Sequence, residues 1–378
     1  MENLFDNTQI AFSLKSDTEL DRAYFLFKMI ANEPLVRIGT AVTNFALKTN
    51  LPVEGLIRAT VFDHFCGGVS EEDCIPVVDK LFTKGVFSVL DYSVEGKEKE
   101  EQFDAVLEKT LKLIEFAEEK KSIPFAVFKP SGFGRIDLYE EVSLGKKLTP
   151  AESEEWNRVV ARFEKVCKAS YDSDVALLID AEESWMQDAV DNLVEVMMVK
   201  YNKSKAIVFN TLQMYRWDRL DYLKNLHQKA LKEGFYIGMK LVRGAYMEKE
   251  NLRAEENGCI SPICSSKEAT DVNYDAAVLY MIEHLDKMSI FAGTHNEQSS
   301  YTLMELMQDR NLGYLAVSLG FYKTLFSAPG TSTSSEIPIE EQVEMGLTDG
   351  LIRFSIGLDN DIERTYKSMK ECMLDLGI

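Results

Sequence analysis

Residues 235–250, FYIGMKLVRGAYMEKE, place two cations, Lys240 and Arg243, in an apolar run and a tyrosine, Tyr246, just past its end. An unpartnered buried charge costs several kcal/mol, so a strand that carries cations needs a reason for them. Gly244 breaks the run, and a charged, helix-prone segment follows. Comparable endings recur along the chain: Asp91 with Glu95, Lys129, Asp180 with Glu182 and Glu183, Asn210, and Thr294 with His295 and Asn296. A single polar residue in such a place is ordinarily a cap or a core hydrogen bond. The same placement on six successive runs predicts one shared site at the mouth of a barrel, where strand ends converge.

The elements that would hold this site alternate regularly. Apolar strand runs are expected at 86–93, 125–132, 175–182, 205–212, 235–242 and 289–296, with amphipathic helices between them. Thr149 followed by Pro150 is a helix start signal, and Gly234 a helix stop. Residues 1–80 read as a helical arm, with apolar positions three and four apart in 23–48. Strands nearly continuous in Val, Ile, Leu and Phe imply a parallel sheet covered by helices, either a right-handed (βα)n barrel or an open doubly wound sheet. No GxGxxG follows any strand, which disfavours the open dinucleotide-binding sheet, and there is no P-loop.

The 378 residues carry a net charge of -20, which argues against nucleic acid and against an anionic membrane surface as the main partner. Six scattered cysteines without a CxxC pair suggest reduced thiols. No secretion signal and no run long enough to span a bilayer is seen, so the expected location is the cytoplasm, with peripheral contact at the inner membrane left open. Four histidines supply no metal cage, and no GxSxG elbow points to a serine hydrolase. Lys129 and Lys240 suit Schiff-base chemistry in a barrel lyase, or they suit an anionic cofactor and the negative charge of a redox step. Spacing leaves both open.

FKPSGFGR, LLIDAEES, VFNTLQMYRWDRL, KLVRGAYMEKE, KEATDVNYDAAV and GTHNEQS, in that order, resemble the flavin-dependent proline dehydrogenase family as far as about Arg310. The resemblance implies an α/β fold, a distorted (βα)8 barrel over 81–310 with FAD across its mouth. It also implies oxidation of L-proline to pyrroline-5-carboxylate by hydride transfer to the flavin, with electrons passed to a quinone. Carried over by motif, Lys129 and Asp180 are similar to the charged pair beside the substrate amine, and Tyr246 to the tyrosine packed beside substrate and flavin. Asn210 is similar to an amide or like hydrogen-bonding side chain against the isoalloxazine, and Lys240 to a basic residue near the flavin N5 and N1 edge that would stabilise the reduced anion. Val242, Gly244 and Ala245 correspond to backbone contacts, and Lys267, Thr294, His295 and Asn296 to residues around the phosphates and ribityl chain.

The resemblance stops near Asn311. The family's tyrosine and adjacent arginines, which grip the proline carboxylate, have no counterpart, because 311–378 contains no Arg-Arg pair. That leaves the barrel incomplete at its C-terminal end and predicts impaired substrate binding. AVSLG and DGLIRFSIGLDN instead resemble the C-terminal end of pyridoxal-phosphate enzymes of cysteine and methionine metabolism, such as methionine gamma-lyase, in which Ser318 and Arg353 would stand near a carboxylate. The expectation for 311–378 is a small foreign α/β tail with strands at 314–321 and 350–358 and a helix from about Asp361.

Overall fold

The computed structural model describes residues 7–31, 66–92, 98–309, 325–327 and 353–355, with scattered positions between 34 and 64. Six strands form one parallel sheet in sequence order: β1 (Val89–Leu90), β2 (Phe125–Phe128), β3 (Ala176–Ile179), β4 (Val208–Gln213), β5 (Ile237–Val242) and β6 (Met288–Ala292). The sheet is curled. Strands β2 and β6 are four spacings apart, which in a flat sheet would separate them by about 19 Å. Yet the rings of Phe125 on β2 and Phe291 on β6 meet edge to face with centroids 5.1 Å apart. Phe125 also meets Phe209 of β4 at 5.9 Å, and Val127, Leu178 and Phe209 form a buried cluster against them. The concave side is thus plugged by apolar side chains at one level, as barrel interiors are. Among the described residues the sheet is part of a barrel wall, in keeping with the incomplete barrel expected.

Side chains alternate along each strand, so this floor fixes the parity of everything above it. Phe125 and Val127 point inward, and so does Lys129; Leu178 leads to Asp180, and Phe209 to Thr211 and Gln213. Thr211 pairs in register with Lys240, and Lys240 with Phe291. Lys129, Asp180, Thr211 and Lys240 therefore stand one layer above the floor on adjacent strands.

Helices α1 (Thr8–Ala11), α2 (Asp17–Ile30) and α3 (Glu71–Phe82) precede the sheet, and α4 (Glu100–Glu118), α5 (Ile136–Ser143), α6 (Pro150–Asp172), α7 (Ser184–Tyr201), α8 (Arg219–Glu233), α9 (Met247–Asn257), α10 (Lys267–Glu283) and α11 (Glu297–Asp309) follow its strands. The start of α6 is a capping box, with the Thr149 hydroxyl accepting from Glu152 N–H at 3.2 Å and Glu152 accepting from Thr149 N–H at 2.7 Å. Helix α8 ends on Gly234 in the left-handed region, φ 71°. Asn202, fully buried at the end of α7, accepts from Ile207 and Val208 N–H and donates to the carbonyls of Val208 and Tyr236. That one side chain anchors the entries of β4 and β5.

The chain divides into two compact units, Met1–Leu303 and Met304–Ile378. Within the second, β7 (Leu325–Ser327) and β8 (Arg353–Ser355) pair antiparallel. The expected strand at 314–321, with Ser318, and the terminal helix from Asp361 lie outside the described residues, as do Glu95 and most of the expected helical stretch at 32–65.

Candidate active site

A cavity of about 1100 Å³ opens at the strand tips and is lined by Lys129, Asp180, Thr211, Gln213, Lys240, Val242, Arg243, Gly244, Ala245, Tyr246, Lys267, Thr294, His295 and Asn296, among others. Its centre is Asp180. One carboxylate oxygen accepts from Lys129 Nζ at 3.3 Å and the other from Lys240 Nζ. All three side chains are about one-seventh exposed, at 14–16%. Two ammonium groups on one carboxylate leave a net positive charge above the floor, which suits an anionic or electron-rich ligand. Both lysines are committed to Asp180, so neither stands apart as an imine-forming lysine does.

The wall beside this triad is built by Arg243. Its Nε donates to Asp271 at 2.6 Å, and its terminal nitrogens donate to the Thr294 hydroxyl at 2.7 Å and the Ser299 hydroxyl at 2.9 Å. The guanidinium lies 4.4 Å from the Tyr274 ring centroid. Lys267, and after it Arg243, hold the Asp271 carboxyl below its ordinary range. Lys267 sits in the first turn of α10, whose Ser266 hydroxyl accepts from Ala269 N–H at 3.1 Å. Gly244 has φ 138°, and a Cβ there would fall 2.5 Å from the buried Tyr215 ring. No other residue fits this turn without displacing the ring. A second hollow of about 1090 Å³ shares Arg243, Gly244, Ala245, Tyr246 and Lys267 with the first and adds Tyr215, Ile263 and Cys264.

Asn210, expected against the cofactor, does not face the cavity. Phe209 points into the floor, so Asn210 must point to the helices. There it is fully buried and donates to Asp191 Oδ1 at 2.8 Å. Asp191 also accepts from Gln187 at 2.9 Å and from Arg219 at 2.6 Å. The β4 side chains at the cavity are Thr211 and Gln213, which the sequence reading missed; their shared parity with Phe209 was the available signal. The Gln213 side-chain oxygen is buried without a hydrogen-bond partner. Asp91 also departs from the expected mouth: it lines a separate hollow of about 80 Å³ with Tyr92 and Lys109.

Glu182 and Glu183 turn from the cavity and bind the rim together. Glu182, 2% exposed, accepts from Ser131 N–H at 2.8 Å and from the Ser131 hydroxyl at 2.6 Å, in the turn right after Lys129. Burial pushes its carboxyl up to about 7, against the opposing pull of the Ser131 hydrogen bonds. The folded protein therefore binds this proton more tightly than the unfolded chain, and Glu182 lowers stability as pH rises from about 4.5 to about 7. Glu182→Gln imitates the protonated acid. Urea melts from pH 4 to 8 should show the variant close to the parent at pH 4 and exceeding it by about 3 kcal/mol at pH 8. Equal pH profiles would refute the assignment.

A family model described as Proline dehydrogenase matches residues 74–321, more than half of the chain. The chain belongs to the proline dehydrogenase family. Its membership places it among the oxidoreductases. It is 36% identical over 280 residues to carbapenem antibiotics biosynthesis protein CarD of Pectobacterium carotovorum subsp. carotovorum, covering 74% of this chain and 73% of that one. It is 28% identical over 342 residues to the mitochondrial proline dehydrogenase 1 of Arabidopsis thaliana, covering 76% and 67%. In fold it is similar to proline utilization A (PutA) from Bdellovibrio bacteriovorus, solved after inactivation by N-propargylglycine, with a TM-score of 0.60 at 17% identity. That match covers 83% of this chain and 34% of the other, so this chain spans about a third of its length. The family span runs to residue 321, past the end expected near 310, and the comparisons lend no support to the pyridoxal-enzyme likeness of the tail. Among the described residues no helix is long and apolar enough to cross a membrane.

Proposed function

We propose that the chain oxidises L-proline to pyrroline-5-carboxylate with FAD as its cofactor and a quinone as the final acceptor. The observation that carries this reading is Asp180 gripped by Lys129 and Lys240 at the base of the cavity, in a member of this family. The residues present fit the cofactor. The unpartnered Gln213 oxygen offers an acceptor to a ring N–H. Lys240 offers a cation at the cavity base, and beside it the Thr211 hydroxyl, which donates to the Ile179 carbonyl at 2.7 Å, offers its oxygen as an acceptor. Arg243, Lys267 and the N-terminus of α10 suit phosphates, since a helix N-terminus and its cations favour anions. The two hollows that share the Gly244 turn give length for a dinucleotide. Thr294, His295 and Asn296 complete that wall.

FAD, when bound, supplies acceptance of a hydride. The chain's own residues prepare the substrate. Oxidation of the C5–N bond of proline needs the nitrogen lone pair, so the nitrogen must be neutral when a hydride leaves C5, and the iminium so formed then loses its N–H proton to give the imine. Asp180 lies at the bottom of the cavity to take that proton, and the two lysines steady it. Tyr246, half-buried at the rim, packs the ring and excludes water. The proline carboxylate meets Lys129 but no arginine pair in 311–378. Lysine is a weaker grip than a bidentate guanidinium, so proline binds poorly.

The purified chain should be yellow, and L-proline added without oxygen should bleach its visible band. Half-bleaching should need millimolar proline or more. Dithionite serves as a control that the band is reducible. A colourless chain that takes up no FAD would reject the cofactor. A yellow chain bleached by dithionite and untouched by 1 M proline would reject the substrate.

A further inference from the structure

Helix α9 leaves the cavity rim immediately after Tyr246, which is its N-cap, and beyond the anchored Arg243 it is joined to β5 through the exposed Gly244 and Ala245. Gly258, φ 61°, ends it on the far side. A short helix between two such turns has little to hold it except its contacts. Glu250 supplies the strongest. It is 2% exposed, and its two oxygens accept from Ser184 N–H and from the Ser184 hydroxyl, each at 2.6 Å. Ser184 is the first residue of α7, so a carboxylate from another element meets a backbone N–H and the positive end of that helix together. Neighbouring turns of α9 reach the same place. Lys249 donates to Glu183 at 2.8 Å, and the Arg253 guanidinium lies 4.3 Å from the Trp185 ring centroid while donating to Glu140. Three consecutive residues, Glu183, Ser184 and Trp185, thus receive α9. The preceding Glu182 holds the turn after Lys129.

We infer that Glu250 is a positioning residue: by clamping α9 to the start of α7 it fixes where Tyr246 stands over the cavity. The clamp lies 66 positions apart in sequence and joins the segments that follow β3 and β5. Tyr246 lines the same cavity as Asp180 and Lys129, which belong to the β2 and β3 ends. Only the kinetic arm of its test rests on the proposed oxidation of proline.

The test uses the full chain with FAD and three variants: Glu250→Ala, Glu250→Gln and Ser184→Ala. Glutamine can still accept from Ser184 N–H and donate to the Ser184 hydroxyl but loses the charge that the helix end favours, so it should fall between the parent and Glu250→Ala. In Glu250→Ala, deuterium uptake over residues 244–257 should quicken by about tenfold, the fold-change of a lost charge-assisted hydrogen bond pair. Uptake over β4 should stay unchanged. Nitration of Tyr246 by tetranitromethane, followed by mass spectrometry, should quicken several-fold. The KM for proline should rise about tenfold, with kcat changed less than threefold. Ser184→Ala, a milder loss, should move each readout in the same direction and serves if Glu250→Ala does not fold. Uptake and nitration within twofold of the parent in both alanine variants would overturn the proposal, whatever proline does. A parent that ignores proline would reject the proposed function, and the clamp would then stand or fall on uptake and nitration.

Discussion

Asp180→Ala is expected to lower proline-driven bleaching by at least about a hundredfold while FAD stays bound, the loss typical of a positioned acid–base group. The carboxylate has two tasks here. On the proposed reading it takes the proton that the substrate nitrogen sheds, and it is the counter-ion shared by Lys129 and Lys240. Without it the two ammonium groups repel by roughly 3 kcal/mol at an intermediate dielectric, and both swing from the positions that they hold now. The groups assigned to the phosphates, Arg243 and Lys267, keep their own partner in Asp271 and are untouched. Stopped-flow spectra of the variant and the parent at equal flavin content check this. Bleaching within threefold of the parent would remove Asp180 from the chemistry.

The second large effect lies behind the sheet. Asp191→Ala should destabilise the fold by about 3–5 kcal/mol, as breaking a buried ion pair from one side does. Arg219 and Asp191 are 3% and 5% exposed, and the carboxylate is the acceptor for Arg219, Gln187 and Asn210 at once. The guanidinium would be left beside Tyr222, 4.1 Å from its ring centroid, with only the more distant Asp218 carboxylate, at 4.0 Å, to offset its desolvation. Calorimetry should show the melting temperature falling by roughly 5–10 °C. A fall below 1 °C would mean that the network is idle.

Much of this architecture was legible. Strands β2 to β5 are buried on nearly every position, and such strands appear in sequence as unbroken apolar runs between turn signals. The convergence of Lys129, Asp180, Lys240 and Tyr246 followed from their place at the ends of those runs. What was illegible follows from the same burial. Residues 208–213 are buried on both faces, so no alternation of polar and apolar residues distinguishes inside from outside. Asn210 looked like a site residue because it is polar, and Thr211 and Gln213 were passed over although they share the parity of Phe209. Strand β1 is two residues long, too short to carry Asp91 into the common mouth. The grip of Glu250 on Ser184 spans elements that no local pattern connects.

The ring contact between Phe125 and Phe291 has a consequence for traffic. It stops the concave side at one end, and Val127, Leu178 and Phe209 back it with further apolar bulk. Water and small molecules do not drain through such a stopper. On the proposed reading, the giver and the taker of electrons both approach from the strand tips, where the cavity opens.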